Sequence, residues 1–392
     1  MNKDIILQQV EKVRQVANAL KQVVYERDEL INGMIIATVS NDGVAVLGPK
    51  GTSKTLVGKL WAQYLDPNEL FEVTEQPGLN PEYEFGPLDI KHYTSTGEQV
   101  RNTKNMMPSK KFVLIDEADK ASDAVRFGQF PIIHPEERRF YNISAGIQPA
   151  KAKFVYMTMN VLDKRPELEP YFDRIALKYN VSYIADQQIR EQYLRQIWSG
   201  SIAKHQPDKI LGWDIIEQLN SALSIVNPTD ETIKTFLKID QELKAQNVQY
   251  SDRKIGWMPR LAGAKALLNK RFEIHPQDLM IGVDLLWESH DDKQIIEDVI
   301  MRCIDESIAE ARILYNDAIG ELNRYIKRTG DAEKRELAFD VNHSLKNICN
   351  KLIEVAQQVR SKGKDASQIE IWEKEIRERN KEMMSEVLGF DV

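Results

Sequence analysis

The sequence predicts an α/β domain, a mostly parallel sheet with helices on both faces, followed by two all-helical regions. Three observations carry this prediction. Residues 1–182 alternate short apolar runs with helical patterns. Residues 183–290 keep apolar residues at helical spacing and contain no convincing strand. From residue 291 onward, long charged stretches carry one apolar face each.

The first element, from Met1-Asn2-Lys3-Asp4-Ile5, is an amphipathic helix with acids and no cleavage-like site, so no signal peptide is expected. A second, apolar helix (Ile31, Met34, Ile35, Ile36, Val39) leads into a buried strand, Val44-Ala45-Val46-Leu47. That strand runs into Gly48-Pro49-Lys50-Gly51-Thr52-Ser53-Lys54-Thr55, and an amphipathic helix follows (Leu56, Val57, Leu60, Trp61, Tyr64, Leu65). A glycine loop between a strand and a helix N-terminus is an anion site. Backbone N–H groups converge there, and the helix dipole favours negative charge. In the pattern G-x-x-x-x-G-K-[ST], the lysine reaches the β- and γ-phosphates and the hydroxyl binds Mg²⁺. Lys54 and Thr55 hold those two places, while Ser53 replaces the second glycine and Gly51 supplies flexibility. The competing reading is an ordinary strand–turn–helix with a chance Lys-Thr pair.

About sixty residues on, Lys111-Phe112-Val113-Leu114-Ile115 is another buried strand, and it ends in Asp116-Glu117. Phosphoryl transfer depends on positioning and charge neutralisation, so an acid that supports Mg²⁺ (Asp116) and one that polarises water (Glu117) belong beside a phosphate loop. Alternatively, the two acids cap the next helix. A third strand, Phe154–Met159, ends at Asn160, which either orients water and touches the γ-phosphate or is a turn residue. Asp173-Arg174 precedes a fourth apolar strand, Ile175-Ala176-Leu177. Arg174 is either a finger reaching a neighbouring subunit's nucleotide or one half of a surface salt bridge with Asp173.

Helical periodicity then covers Ile189–Ile197, Ile215–Ile225, Ile233–Leu243, Leu261–Leu268 and Leu279–Trp287, with a stop and new N-cap at Asn227-Pro228-Thr229-Asp230. The tail repeats the pattern at Ile295, Ile296, Val299, Ile300, Cys303, Ile304 and Ile308, and again at Leu345, Ile348, Leu352, Ile353, Val355 and Val359. Breaks near Thr329-Gly330-Asp331 and Ser361-Lys362-Gly363-Lys364 predict three antiparallel helices there.

Composition bounds the function. A chain of 392 residues has room for two or three domains, and 42% hydrophobic residues suffice for real cores. The net charge of −7 argues against nonspecific nucleic-acid binding, which requires neutralising phosphates. The two cysteines, Cys303 and Cys349, have no paired spacing and suit reduced structural thiols in the cytoplasm. No apolar run approaches the length of a membrane span.

The order of phosphate loop, Asp-Glu strand, strand-end Asn and Asp-Arg resembles the AAA+ ATPases, and within them the MoxR family and its RavA branch. The likeness extends over roughly residues 5 to 290. It includes Tyr25-Glu26-Arg27, the Gly-Pro-x-Gly-x-[Ala/Ser]-Lys form of the loop, and Phe85-Gly86-Pro87-Leu88. It also includes Glu137-Arg138-Arg139-Phe140 and Tyr250-Ser251-Asp252-Arg253. Lys50, where the family usually has proline, either touches a phosphate or points to solvent. The helix that the family carries after the Asp-Glu pair is expected to be interrupted by Gly128, Pro131 and Pro135.

The resemblance implies an AAA+ core over 1–182, a helical lid over 183–290 and a helical C-terminal extension over 291–392. It implies Mg²⁺-dependent ATP hydrolysis to ADP and phosphate, with the adenine near Tyr25 to Arg27. Residues Gly48 to Thr55 hold the phosphates, and Thr55 and Asp116 hold the metal. Glu117 activates water, Asn160 senses the γ-phosphate, and Arg174 completes a neighbour's site in a ring, most simply a hexamer. Arg253 is the lid's sensor 2 arginine, with Arg260 the alternative. The implied work is chaperone-like remodelling with a von Willebrand A-domain protein partner. A nucleotide-gated scaffold with little turnover is the rival class; an intact Glu117 argues against it. A nucleic-acid motor would need basic residues such as Lys104, Lys110 and Lys111, which otherwise form a solvated face.

Overall fold

In a computed structural model the described residues are 2–160, 173–199, 211–326, 331–361 and 366–388. The chain divides into two compact units, Met1–Ile233 with Gln249–Glu288, and Lys234–Val248 with Ser289–Val392.

In the first unit, α1 (Lys3–Val23) buries Ile6, Val10, Val13 and Leu20 on one face, as its apolar spacing requires. Apolar on nearly every side, α2 (Asp28–Ser40) is almost wholly buried. β1 (Gly43–Leu47) is buried at every position and leads through the loop into α3 (Lys54–Leu65). β2 (Leu70–Thr74), α4 (Glu82–Phe85), α5 (Ile90–Thr96), β3 (Phe112–Asp116) and α6 (Asp123–Ile133) follow. Then come a hairpin of β4 (Arg139–Tyr141) and β5 (Ile147–Pro149), β6 (Phe154–Met159) and β7 (Leu177–Asn180). The order β2-β3-β6-β1-β7 makes one parallel sheet, so the C-terminal ends of its strands share one edge. Crossovers return each strand in the same direction, which a parallel sheet demands.

Helices α7 (Gln187–Ser199), α8 (Trp213–Ala222), α9 (Asp230–Ala245), α10 (Asp252–Leu268) and α11 (Gly282–Leu286) follow the sheet. The expected stop and restart at Asn227–Asp230 is present, and Asn227–Pro228 also pairs in a short parallel bridge with Glu273–Ile274. The second unit contains the end of α9 together with α12 (His290–Ile304), α13 (Glu306–Ile326), α14 (Asp331–Ser361) and α15 (Ser367–Leu388). No helix among the described residues is long and apolar enough to cross a membrane.

The structure corrects two local expectations. After residue 289 the described residues form four helices, not three. The unforeseen break is at Asp305, whose extended backbone ends α12 and whose carboxylate accepts from Ser307 N at 2.9 Å. The apolar spacing continues across it, so no periodicity marks it. The two foreseen breaks fall mostly on 327–330 and 362–365, outside the described residues. Finally, α6 runs through Gly128 and Pro131 instead of breaking at them. Pro131 lies in the last turn and forfeits one bond at most. Gly128 makes room for Phe85, whose ring would lie 2.5 Å from an added Cβ.

Candidate functional site

The strand register brings the candidate residues to one edge. Leu47 pairs with Met159 of β6 and Asn180 of β7, and Ile115 pairs with Met157. The loop after β1, the acids at the end of β3 and Asn160 after β6 therefore emerge side by side. Gly48 has φ +152, and a Cβ there would lie 2.1 Å from the Val181 carbonyl oxygen. Only glycine passes this close. Gly51 turns at φ +79 into open space, and Ser53 takes the left-handed conformation (φ 62) that the usual glycine would adopt. Pro49, Lys50 and Gly51 are exposed, so the solvent-pointing alternative for Lys50 is the one seen. Thr52 Oγ1 closes the loop by donating to Pro49 O at 2.9 Å.

Lys54 is buried and donates to the carbonyls of Gly48 and Pro49, each at 2.7 Å. Burial pushes its pKa down, and Asp116, Asp119 and Glu117 pull it back up. The buried ammonium thus curls onto its own loop, with neutral partners in hydrogen-bond reach. Thr55 Oγ1 donates to Asp116 Oδ1 at 3.0 Å, across 61 residues of sequence. The hydroxyl of Thr158 donates to the same oxygen, as does Glu117 N at 3.1 Å. This is an oxygen set suited to a hard divalent cation, which takes hydroxyl, carboxylate and water oxygens.

Glu117 has a left-handed backbone (φ 54, ψ 40) and makes no capping bond, while α6 is capped by Ser122. The acid pair is therefore not a helix cap. Instead the Glu117 carboxylate forms an ion pair with Lys120. A non-glycine residue held in this conformation is uncommon and aims its side chain away from the strand direction.

Tyr25 and Arg27 are the residues beside which the adenine is expected. With Thr52, Ser53, Leu56 and Tyr193 they line a cavity of about 260 Å³ beside the loop. Tyr25 and Tyr193 meet edge to face at 6.3 Å. Arg27 is buried, and its Nε and Nη2 both donate to Thr52 O at 3.2 Å, with Nη2 also reaching Ser182 O at 2.5 Å. It fastens the loop to the end of β7.

The two remaining arginines are elsewhere. Leu177 pairs with Val44, so Asp173 and Arg174 precede β7 at the N-terminal edge of the sheet. Five residues of β1 at about 3.3 Å each separate that edge from the phosphate loop by roughly 15 Å. Arg174 stacks on Phe130 at 4.5 Å, while Asp173 accepts from Ser251 Oγ at 2.9 Å and pairs with Arg253. Asp173 thus pairs with Arg253, and its charge also acts on Arg174. Burial lowers the Arg174 pKa and the neighbouring Arg253 charge lowers it further; His134 is lowered in the same order, first by burial and then by Arg253. Arg253, expected to be the lid's sensor 2 arginine, lies beside Arg174 at that same edge, where α10 starts. Arg260 is committed to the fully buried Asp42, with Nε at 3.0 Å and Nη2 at 2.5 Å from its two oxygens. Asp42 immediately precedes β1, so Arg260 is also remote from the loop.

Two residues were missed by sequence reasoning. Thr158 was legible as a hydroxyl inside an otherwise apolar strand, two residues before Asn160 and so on the same face. Tyr156, buried, donates its hydroxyl to Lys54 O at 2.8 Å and rests against Gly58, fixing the start of α3; nothing in the sequence marks it. Of the motor candidates, Lys110 Nζ donates to Asn68 O at 2.5 Å and Lys111 pairs with Glu217 at 2.8 Å, so both are spent within the protein.

Comparison with known proteins identifies the family and the fold. Residues 11–221 match the family model for the MoxR domain in MoxR-vWA-beta-propeller ternary systems, and residues 231–300 match an AAA lid domain. A crystal structure from Cytophaga hutchinsonii, described as a candidate ATPase, superposes with a TM-score of 0.61 at 20% identity. That match covers 75% of this chain and 95% of the other, and it shows the shared fold. With more than half of its length matched by the family model, the chain belongs to the MoxR family of AAA+ ATPases.

Proposed function

We propose that this protein binds Mg-ATP at the C-terminal edge of the sheet and hydrolyses it in a ring, most simply a hexamer. The observation that carries the reading is the junction of Lys54, Thr55, Asp116 and Glu117 from two sequence-distant segments. The buried Lys54 ammonium, held by carbonyls, is a cation suited to phosphate. Thr55 and Asp116, in contact at 3.0 Å, suit a bound Mg²⁺, which would neutralise charge on the phosphates. Glu117 is the base that orients water, and Lys120 holds it until the site fills. Asn160 contacts the γ-phosphate, and Tyr25 with its cavity takes the adenine. Gly48 to Ser53 cradle the phosphates through backbone N–H groups.

Arg174 and Arg253 act on a neighbouring subunit's nucleotide. Two arginines close enough to lower one pKa, set roughly a strand's length from their own phosphate loop, suit an anion presented from outside the chain. The work driven is remodelling or assembly of a protein partner in the cytoplasm. The matching family model is named for systems with a vWA component, so a vWA-domain protein is the partner we favour.

Phosphate release and mass photometry, each with and without ATP, test this reading. Lys54→Ala should abolish nucleotide binding, and Glu117→Gln should keep binding and stop turnover. Arg174→Ala should bind ATP yet hydrolyse about 10³-fold or more slowly. Mixing it with Glu117→Gln should restore activity, since mixed rings contain interfaces with both groups intact. Co-assembly without rescue would sink the trans assignment.

A further inference from the structure

A second cavity, of about 290 Å³, lies among α1, α2 and α10, away from the phosphate loop. Its charged lining is Arg14, Lys21 and Lys265, and no carboxylate among the described residues lines it. Asn18, Asn32 and Asn269 add amide groups, and Ile35 and Ile36, both buried, form an apolar floor. The acids that act on these cations, Glu11 on Arg14, Asp28 on Lys21 at 3.9 Å, and Asp278 and Asp284 on Lys265, all lie outside the lining, so the wall itself is positive.

Lys265 is the central observation. Two acids act on it from neighbouring elements, Asp278 and Asp284, and Arg271 opposes them. Both acids are committed elsewhere. Asp278 takes Arg271 at 2.7 and 2.8 Å and His275 N at 2.9 Å, and Asp284 bonds the Tyr179 hydroxyl. No hydrogen bond or ion pair reaches the Lys265 ammonium among the described residues, although it lines the cavity. Burial holds its pKa below the usual lysine range. Lys21 has one distant partner, Asp28 at 3.9 Å. A buried ammonium whose nearest acids are engaged elsewhere costs free energy that an anion bound in the cavity returns.

We propose that this cavity binds a small organic phosphate of ribose-phosphate size. The phosphate lies against Arg14, Lys21 and Lys265, the hydroxyls meet the three asparagines, and the body rests on Ile35 and Ile36. The volume sits at the lower end of small-molecule sites and excludes a nucleoside triphosphate. A bound phosphate raises the Lys265 pKa, because a nearby anion favours the charged amine.

The test uses full-length Lys54→Ala protein, so that the phosphate loop is silent. Ribose 5-phosphate, AMP and inorganic phosphate are titrated by calorimetry. Ribose 5-phosphate or AMP should bind, and the preference between them identifies a sugar phosphate or a nucleotide as the source. Lys265→Met and, separately, the surface variant Arg14→Ala should each weaken binding about tenfold or more, the worth of one charge-assisted hydrogen bond. Lys265→Arg should retain most of it. The proposal is overturned if neither organic ligand binds, if both variants bind as tightly as their parent, or if inorganic phosphate binds as tightly as both.

Discussion

Glu84 is buried without a cation of its own, and replacing it with glutamine should stabilise the protein at alkaline pH. Its carboxyl is 0% exposed, on α4, and it shares Gln129 Nε2 with Glu75, each at 2.7 Å. The second oxygens, Glu84 Oε1 and Glu75 Oε2, are buried without a hydrogen-bond partner. Burial first, and then the adjacent Glu75 charge, push Glu84 up to about 9. Glu75 is raised as well, again mainly by burial, with the buried Arg126 pulling the other way. Arg126 is itself paired with Asp123. The folded-state pKa is therefore above the unfolded value, and the sign follows. The contribution of Glu84 is fully present below the unfolded carboxylate pKa and is lost as pH rises toward 9. In that window each pH unit costs about 1.4 kcal/mol, so from pH 6 to 8.5 the limit is about 3 kcal/mol. Glu84→Gln keeps the shape, supplies an amide donor toward Glu75, and removes the titration. The gap between urea midpoints at pH 6 and pH 8.5 should narrow in the variant relative to the parent, with Glu75 accounting for what remains. Identical pH dependence in the two proteins would refute the reasoning. The effect lies next to the site, since Glu75 N donates to Asp116 O at 2.8 Å.

Three further outcomes are expected. Lys178 and Lys254 share Glu288, and burial followed by the Lys254 charge pushes Lys178 down to about 7. A lysine lowered on folding makes stability rise with pH between about 7 and 10, so Lys178→Met should flatten the rise in Tm and add about 1–3 kcal/mol near pH 7; an unchanged slope from pH 7 to 9 counts against it. Thr158→Val should fold and bind nucleotide but need about fivefold more Mg²⁺ for half-maximal hydrolysis, the worth of one hydrogen bond to Asp116; an unaltered Mg²⁺ titration would remove Thr158 from the site. Arg260→Ala leaves buried Asp42 with only Ser40 and the Arg138 charge, and should cost about 3 kcal/mol in stability, read by urea midpoint. If it instead slows hydrolysis at unchanged stability, Arg260 works on nucleotide after all.

The elements legible in the sequence are those specified by neighbours along the chain. Val44 to Thr55 announces strand, loop and helix because burial, glycine freedom and helix start lie within one short window. The helical stretches of residues 183–326 follow from the spacing of their own apolar residues. What stayed hidden depends on partners far apart. The edge strand β2 and the β4–β5 hairpin are short and partly exposed, so their own patterns are weak. The break at Asp305 hides inside an uninterrupted apolar rhythm. The pairing of Asp173 with Arg253 spans 80 residues, and Gln129 with Glu75 spans 54. The sequence alone determined that a phosphate loop and an acid pair exist. Only the tertiary structure decided that Arg253 joins Arg174 at the far edge, that Arg260 serves Asp42, and that Lys265 faces a cavity. Backbone preference and burial pattern act over a turn or a strand, whereas charges find their partners through a packing that no single segment encodes.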